Sequence, residues 1–485
     1  MDKITKILKK YWGYEALKDK QIEAIQSCID NVDTVVLLPT GYGKSMCYLI
    51  PPLVTKKVMI IISPLISLME DQKTKLNQMK IPVATLHSNN INRDVEIQKI
   101  LDGKILIVYC SPEFFVNDDM RIIKEFIKAD KLHYLAVDEC HCVSQWGHDF
   151  RDSYLKLKLF RLEFPHIPIM ALTATATKDV VVDIIATLLN NSKNKIITTN
   201  FDRPNLYLKC VEILDTNVDT IYEKIVPFLE KYKDNKLIIY INNRRGCEDL
   251  SDLLNTKSYK SKAYHAGLCK PARDAIQTLF STELNVIIST VAFGMGIDLT
   301  IRCVLIIGAP NSVEDYYQMI GRAGRDGYLA ETILFFNYKS IMIQKKMNQS
   351  KSNKSEEDAI IVKTKDNNLT KMGKYFFSQI CRRRFILEYF GQIPKFMCCT
   401  NCDNCCERIK IDYTDRIKQV VFDSTKKTKF HNIFNSNELD MLVEGQILCK
   451  IGKSYFNSNT LDNWIKLLTI NNKIDCIPVK YKIMI

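Results

Sequence analysis

The sequence predicts an α/β fold: two tandem parallel-sheet lobes, then a small helical metal-binding subdomain and a C-terminal domain of mixed character. Short apolar runs rich in Val and Ile recur at helix-length intervals through the first 340 or so residues, the pattern of strands buried on both faces of a parallel sheet. The series occurs twice, so one sheet does not account for it. Five cysteines crowd residues 398–406, which calls for a separate metal-held unit.

The first series is TVVLL (34–38), KVMIIIS (57–63), ILIVYC (105–110), LHYLAVD (132–138) and IPIMALT (167–173), assigned to a lobe of residues 1–203. The second is LIIYI (237–241), KAYHA (262–266), NVIIST (285–290), RCVLIIG (302–308) and TILFF (332–336), a lobe of residues 204–342 joined to the first near FDRPNLYL (201–208). Residues 344–367 are polar with little apolar periodicity and predict a surface linker or flexible loop. With the helical stretch LTKMGKYFFSQICRRRFILEYFG and the cysteine cluster they form a third unit, 343–410. Residues 411–485 contain one helix-like stretch, TLDNWIKLLTINNKI, and end in a strand-like VKYKIMI.

At 485 residues, two to four domains are expected. The apolar fraction of 46% suffices for full hydrophobic cores, and no apolar run approaches membrane-spanning length. The N-terminus alternates charge with apolar residues and has no signal-peptide core. A soluble intracellular protein is therefore expected, nuclear or cytoplasmic. The net charge of +13 points to a polyanionic partner, with a solvated Lys-rich surface as the competing explanation. Most of the 17 cysteines stand singly in apolar contexts (Cys28, Cys110, Cys210, Cys303), as small buried hydrophobes do.

Three motifs carry chemistry. TVVLL runs directly into PTGYGKS, the strand, glycine loop and helix start of a phosphate site. Gly41 and Gly43 let backbone N–H groups approach phosphates, Lys44 reaches the β and γ phosphates, and Ser45 ligates magnesium. Leu38 stands where the strict pattern has Gly. The second motif, DECHCVSQWGHDF (138–150), reads two ways. Cys140, His141, Cys142 and His148 resemble soft metal ligands, whereas Asp138 and Glu139 closing an apolar strand resemble the acids of a nucleotide hydrolase. The phosphate loop upstream favours the second: Asp138 for the magnesium shell, Glu139 for the attacking water. In the third, Cys399, Cys402 and Cys405 form two adjoining CxxC units with Cys381 eighteen residues earlier, a set suited to tetrahedral zinc, although Cys398 and Cys406 leave the register open.

Taken together, PTGYGKS, DECH, SPLISLMEDQ (63–72), LTATAT (172–177), STVAFGMGID (289–298) and QMIGRAGRDG (318–327) resemble the RecQ family of superfamily 2 DNA helicases over roughly residues 8–410. The resemblance implies two RecA-like lobes with ATP in the cleft between them. It makes WGYEALKDKQ (12–21) an adenine-recognition motif in which Tyr14 and Lys18 flank the base and Gln21 bonds its edge, with Lys18 where the family usually has Arg. It adds Thr40 and Asp298 to the nucleotide-contacting set, gives Gln318 a lobe-coupling role, and turns Arg322 and Arg325 toward the γ-phosphate, Arg325 as the arginine finger. Trp146, Phe150 and Arg151 would belong to an aromatic-rich loop that senses single-stranded DNA; base stacking there is worth about 1 to 3 kcal/mol per base. Ser63, Arg244, His265 and Thr290 would grip the DNA backbone. The family usually continues GID with Lys-Pro; Leu299-Thr300 here changes the local DNA contacts.

The four-cysteine set matches the family's zinc module, and Arg382, Arg383 and Arg384 place basic charge where DNA would pass. For residues 411–485 the resemblance implies a compact winged helix, with a generic small α/β cap as the alternative. The expected activity is ATP-dependent 3′→5′ unwinding of tailed duplexes by an enzyme translocating on single-stranded DNA as a monomer, with ATP, Mg2+ and Zn2+, serving repair, recombination or replication. An RNA helicase, a non-unwinding translocase and a zinc-containing DNA-binding protein with a dead ATPase are the alternatives.

Overall fold

The computed structural model describes residues 2–144, 150–189, 194–213, 215–290, 293, 299–336, 338–349, 356–378 and 380–406, and five short strands beyond residue 408. Lobe 1 is built on β1 (Asp33–Leu37), β2 (Val58–Ile62), β3 (Val83–Leu86), β4 (Ile107–Cys110), β5 (Leu132–Val137), β6 (Ile169–Thr173) and β7 (Asn194–Thr198). They form a sheet of order β3-β4-β2-β5-β6-β1-β7, parallel throughout. β1, β2 and β6 are buried at every residue, which explains their unbroken apolar runs. Helices cover both faces, so the carboxyl ends of β1, β2, β5 and β6 converge on one edge of the lobe. Ligands bind at that edge in such sheets.

Lobe 2 repeats the plan with β8 (Leu206–Glu212), β9 (Lys236–Ile241), β10 (Ser261–Tyr264), β11 (Val286–Ser289), β12 (Ile301–Ile307) and β13 (Ala330–Phe336), in the order β10-β11-β9-β12-β13-β8. The ten apolar runs all correspond to strands. β3, β7 and β8 were not among them, and all three lie at or next to sheet edges. β8 alternates buried and partly exposed residues along LYLKCVE, so it never becomes an apolar run.

The polar stretch 344–367 is not a linker. Its described residues belong to two packed helices, Tyr338–Gln349 and Glu356–Phe377. Polar Thr364 and Asn368 occupy the buried face beside Leu369, Met372, Tyr375 and Phe376, which hides the helical periodicity in the sequence. Beyond them the cysteine module docks on lobe 2. Arg382, at 0% exposure, makes a bidentate pair with Asp403 (2.9 and 3.1 Å) and donates to the Tyr375 and Phe376 carbonyls. Asp403 also accepts from the backbone N–H of Cys210 in β8, and Cys402 bridges Leu208 of the same strand.

In the tail, strand Ile409–Asp412 pairs with Ile447–Ile451, which pairs antiparallel with Ser454–Phe456. The expected helix TLDNWIKLLTINNKI lies outside the described residues apart from Ile474, as does VKYKIMI. No helix among the described residues is long and apolar enough to cross a membrane.

Candidate nucleotide and nucleic-acid site

The phosphate loop lies at the carboxyl end of β1. Leu38 is fully buried and its N–H bonds the Thr173 carbonyl, so it prolongs the strand and the tight loop begins only at Pro39. Gly41 and Gly43 adopt φ of +83° and +90°, a region that disfavours side chains. A Cβ on Gly43 would also lie 2.6 Å from Gln21 Nε2. The helix Ser45–Thr55 starts directly after Lys44 and turns its N-terminal amides toward the loop.

Asp138 and Glu139 follow β5 on the neighbouring strand end. Burial pushes the Asp138 carboxyl up, to about 6, with Lys44 opposing the shift. Lys44 Nζ lies 3.5 Å from Glu139 Oε1. Glu139 has φ +48°, a left-handed conformation unusual for a residue with a side chain and of the kind that clusters at working sites. Tyr154 supports the turn from below, its buried hydroxyl donating to the Asp138 carbonyl at 3.0 Å. Ser45 and Asp138 offer a hydroxyl and a buried carboxylate beside the phosphate loop, oxygen donors of the kind that would suit magnesium.

A chain of side chains leaves Glu139 and crosses to lobe 2. His141 Nδ1 lies 3.4 Å from Glu139 Oε2 and 2.8 Å from Thr173 Oγ1. Thr173 Oγ1 accepts from the Thr175 N–H at 3.1 Å, and Gln318 of lobe 2 donates to Thr175 Oγ1 at 3.3 Å. His141 thus turns to Thr173 and Glu139, and it is not in the metal-ligand cluster found among the described residues. Cys140 and Cys142 are fully buried core residues. His148 lies outside the described residues. Arg325 reaches the same place from the other lobe: its aliphatic stem would lie 3.3 Å from a Cβ on Gly41. Thr40 comes equally close to Gly321. Arg322 faces the buried Tyr240, lowering that phenol against the upward push of burial.

At the opposite end of the loop Gln21 is buried and fully used. It donates to the Tyr42 and Gly43 carbonyls (3.1 and 3.0 Å) and accepts from the Lys18 N–H at 2.8 Å. Binding an adenine edge would exchange those bonds. The Lys18 ammonium sits 4.4 Å from the Tyr42 ring centroid, while Tyr14 is exposed. Desolvation, and then the charge of Arg203, lower the Lys18 pKa. Asp298 lies outside the described residues.

Trp146 also lies outside the described residues. Phe150 is half-buried, and Arg151 donates to the Pro64 carbonyl at 2.8 Å, tying the end of the loop to the segment that begins at Ser63. Ser63 Oγ, His265 Nδ1 and Arg273 Nε are buried without a hydrogen-bond partner among the described residues. Arg244 packs with His265 around Gly267, and Thr290 closes β11 beside them, its N–H on the Tyr264 carbonyl.

The sulfurs of Cys381, Cys399, Cys402 and Cys405 lie within 4.8 Å of one another. Tetrahedral Zn–S bonds of about 2.3 Å set sulfurs about 3.8 Å apart, so the cluster fits zinc after slight contraction. Cys398 and Cys406 are exposed and outside this set, which favours Cys381, Cys399, Cys402 and Cys405 as the ligands. The adjoining arginines do not present a basic face: Arg382 is buried against Asp403, Arg383 is paired with Asp202 (2.8 and 2.5 Å) and Arg384 with Glu388 (2.6 Å).

Two parallel-sheet lobes with a phosphate loop in one and Arg325 set against that loop from the other define a two-lobed, nucleotide-driven motor of the helicase class. Family models agree: DEAD/DEAH box helicase over residues 18–184, helicase conserved C-terminal domain over 217–327 and RecQ zinc-binding over 338–406. The chain belongs to the RecQ family of ATP-dependent DNA helicases. It is 35% identical to the RecQ helicase of Bacillus subtilis over 422 residues, 86% of this chain and 69% of that one. With the Haemophilus influenzae RecQ helicase it shares 35% over 403 residues, 82% of this chain and 63% of that one. A protein of Acanthamoeba polyphaga mimivirus, named as a putative ATP-dependent RNA helicase, is 37% identical over 406 residues, 83% of this chain and 72% of its own length. The DUF1998 helicase MrfA bound to DNA and AMPPNP has the same fold, with TM-score 0.57 at 17% identity over 81% of this chain and 58% of that chain.

Arg203 was missed from the sequence. FDRPN served only to mark the lobe junction, yet its guanidinium touches both lobes. Tyr154 was missed too, since a buried tyrosine after a loop carries no local signal.

Proposed function

We propose that the chain is an ATP-driven DNA helicase that moves 3′→5′ along single-stranded DNA, as a monomer, and unwinds tailed duplexes. The row of side chains from Glu139 past His141, Thr173 and Thr175 to Gln318 supports this reading, because it reaches from the carboxylate to the opposite lobe. ATP enters between the lobes with its phosphates on the Thr40–Ser45 loop and Lys44. Magnesium held by Ser45 and Asp138 would neutralise charge on the phosphate oxygens. Glu139 orients a water; as its oxygen attacks the γ-phosphorus and the bond to the bridging oxygen breaks, the carboxylate takes the proton. Arg325, with Arg322, stabilises the charge that builds on the transferring group.

DNA would lie across the sheet edges of both lobes. Ser63, His265 and Arg273 bring unsatisfied polar atoms there, Arg244 and Thr290 adjoin them, and the loop ending at Phe150 and Arg151 is tied to the Ser63 segment. Strand occupancy would thus be felt at Glu139, and hydrolysis would release the lobes for the next step. Zinc on the four cysteines would hold the module that grips lobe 2, adding folding energy.

The test is unwinding of 3′-tailed and 5′-tailed DNA duplexes with Mg-ATP, beside ATP turnover with and without single-stranded DNA. Unwinding of the 3′-tailed substrate alone is expected, with turnover abolished by Lys44→Ala. The name of the mimivirus relative supplies a second reading. Turnover stimulated by RNA and not by DNA would replace the DNA assignment.

A further inference from the structure

Arg203 lies in the extended segment between β7 and β8, and its side chain bonds groups from both halves of the molecule. One terminal nitrogen lies 3.5 Å from the Thr40 carbonyl of the phosphate loop. The other donates to the Ala323 and Gly324 carbonyls at 2.8 and 2.9 Å. Those carbonyls belong to the turn that immediately precedes Arg325, and Gly324 takes φ +55° there. A fork-shaped donor meets this geometry; a lysine ammonium offers one point and cannot span it.

The backbone that carries Arg203 is held on both sides. Asp202 is gripped by Arg383, and Tyr317 donates to the Phe201 carbonyl at 2.7 Å. Asn401, between two zinc-site cysteines, donates to the Pro204 and Leu206 carbonyls (2.9 and 3.2 Å). Asn205 repeats the pattern of Arg203 with its amide on the Gly324 and Tyr328 carbonyls, both at 2.9 Å. A guanidinium so anchored is a ruler between the phosphate loop and the turn of the finger.

We propose that Arg203 is a positioning residue for hydrolysis: it fixes the Ala323–Gly324 turn against the phosphate loop so that Arg325 meets the γ-phosphate. The proposal rests on Arg325 as the finger. Arg203 need not touch the nucleotide for this role, so its loss should slow turnover more than it weakens binding.

The experiment uses the full zinc-loaded chain and four variants: R203A, R203K, R325A and the double R203A/R325A. ATP turnover with saturating single-stranded DNA is measured beside binding of a fluorescent ADP and zinc content. R203A and R203K should each lower kcat roughly ten- to a hundredfold, the scale of charge-assisted hydrogen bonds lost from a transition state, with KM and ADP affinity within about threefold of wild type. The double variant should be no more than about twofold slower than R325A, because the first change acts through the second residue. R203K keeps the charge and tests the role even where R203A folds poorly. Multiplicative losses in the double variant, a raised KM with unchanged kcat, or loss of zinc from either Arg203 variant would overturn the positioning role. Wild-type turnover in both Arg203 variants beside a slow R325A would overturn it while sparing the finger. Wild-type turnover in R325A would overturn the finger assignment and this proposal with it.

Discussion

Gly321→Ala separates the chemistry of the lobe boundary from the stability of either lobe. Gly321 has φ −63° and ψ −8°, an ordinary helical conformation that alanine adopts without strain. Within lobe 2 an added methyl meets the Tyr317 carbonyl at 3.0 Å, a tight approach that the end of its helix must yield to by a few tenths of an ångström. Across the boundary it meets Thr40 Cβ at 3.0 Å and Oγ1 at 3.3 Å, on a phosphate loop that Gln21 and the helix behind it hold in place. Overpacking of this kind costs about 1 to 3 kcal/mol, or roughly 5- to 150-fold in any step that needs the lobes together. Replacing glycine where alanine fits adds about 0.4 to 1 kcal/mol of stability through the unfolded chain. Melting temperature should therefore hold or rise while DNA-stimulated turnover falls by at least fivefold. Steady-state ATPase at saturating DNA and a thermal melt on the same preparation check both. A variant that melts early, or one that turns over normally, would refute the reasoning.

Further outcomes follow from the same geometry. Arg325→Ala should slow hydrolysis about a thousandfold or more while fluorescent-nucleotide binding persists. Arg151→Ala, which loses the bond to Pro64, should keep DNA-independent turnover and lose most of its stimulation by single-stranded DNA; unchanged stimulation would detach Arg151 from sensing. Arg382→Ala leaves Asp403 buried without its cation and should destabilise by about 3 to 5 kcal/mol, read as a lowered denaturant midpoint. Zinc analysis should return one metal per chain, and none after Cys402→Ser.

Both sheets and the glycine loop after β1 were legible because their signals are local. β1, β2 and β6 announce themselves as unbroken apolar runs, and the phosphate loop needs only its strand and two glycines. What the sequence hid depends on distance along the chain. Arg203 has partners near residues 40 and 323, so a five-residue window shows merely a turn before a proline. The run CRRRF looked like a surface for DNA because three arginines are seldom buried. Asp403, Asp202 and Glu388, none of them adjacent in sequence to its partner, turn it into packing. DECHCVSQWGHDF looked like a ligand cluster for the opposite reason: its cysteines are close in sequence but point into the core, while His141 turns to Thr173.

The bridge between Leu208 and Cys402 also bears on how the chain behaves before it is complete. β8 is the last strand of its sheet, and edges left open in such sheets recruit strands from other molecules. The cysteine module, with Asp403 on the Cys210 N–H and Asn401 on the Leu206 carbonyl, covers much of that side. Lobe 2 emerges during synthesis well ahead of residues 381–405, so for that interval its edge stands open. A chain whose four cysteines cannot hold the module in place is therefore expected to aggregate through this edge while lobe 2 stays folded, which light scattering of Cys402→Ser beside a thermal melt would check.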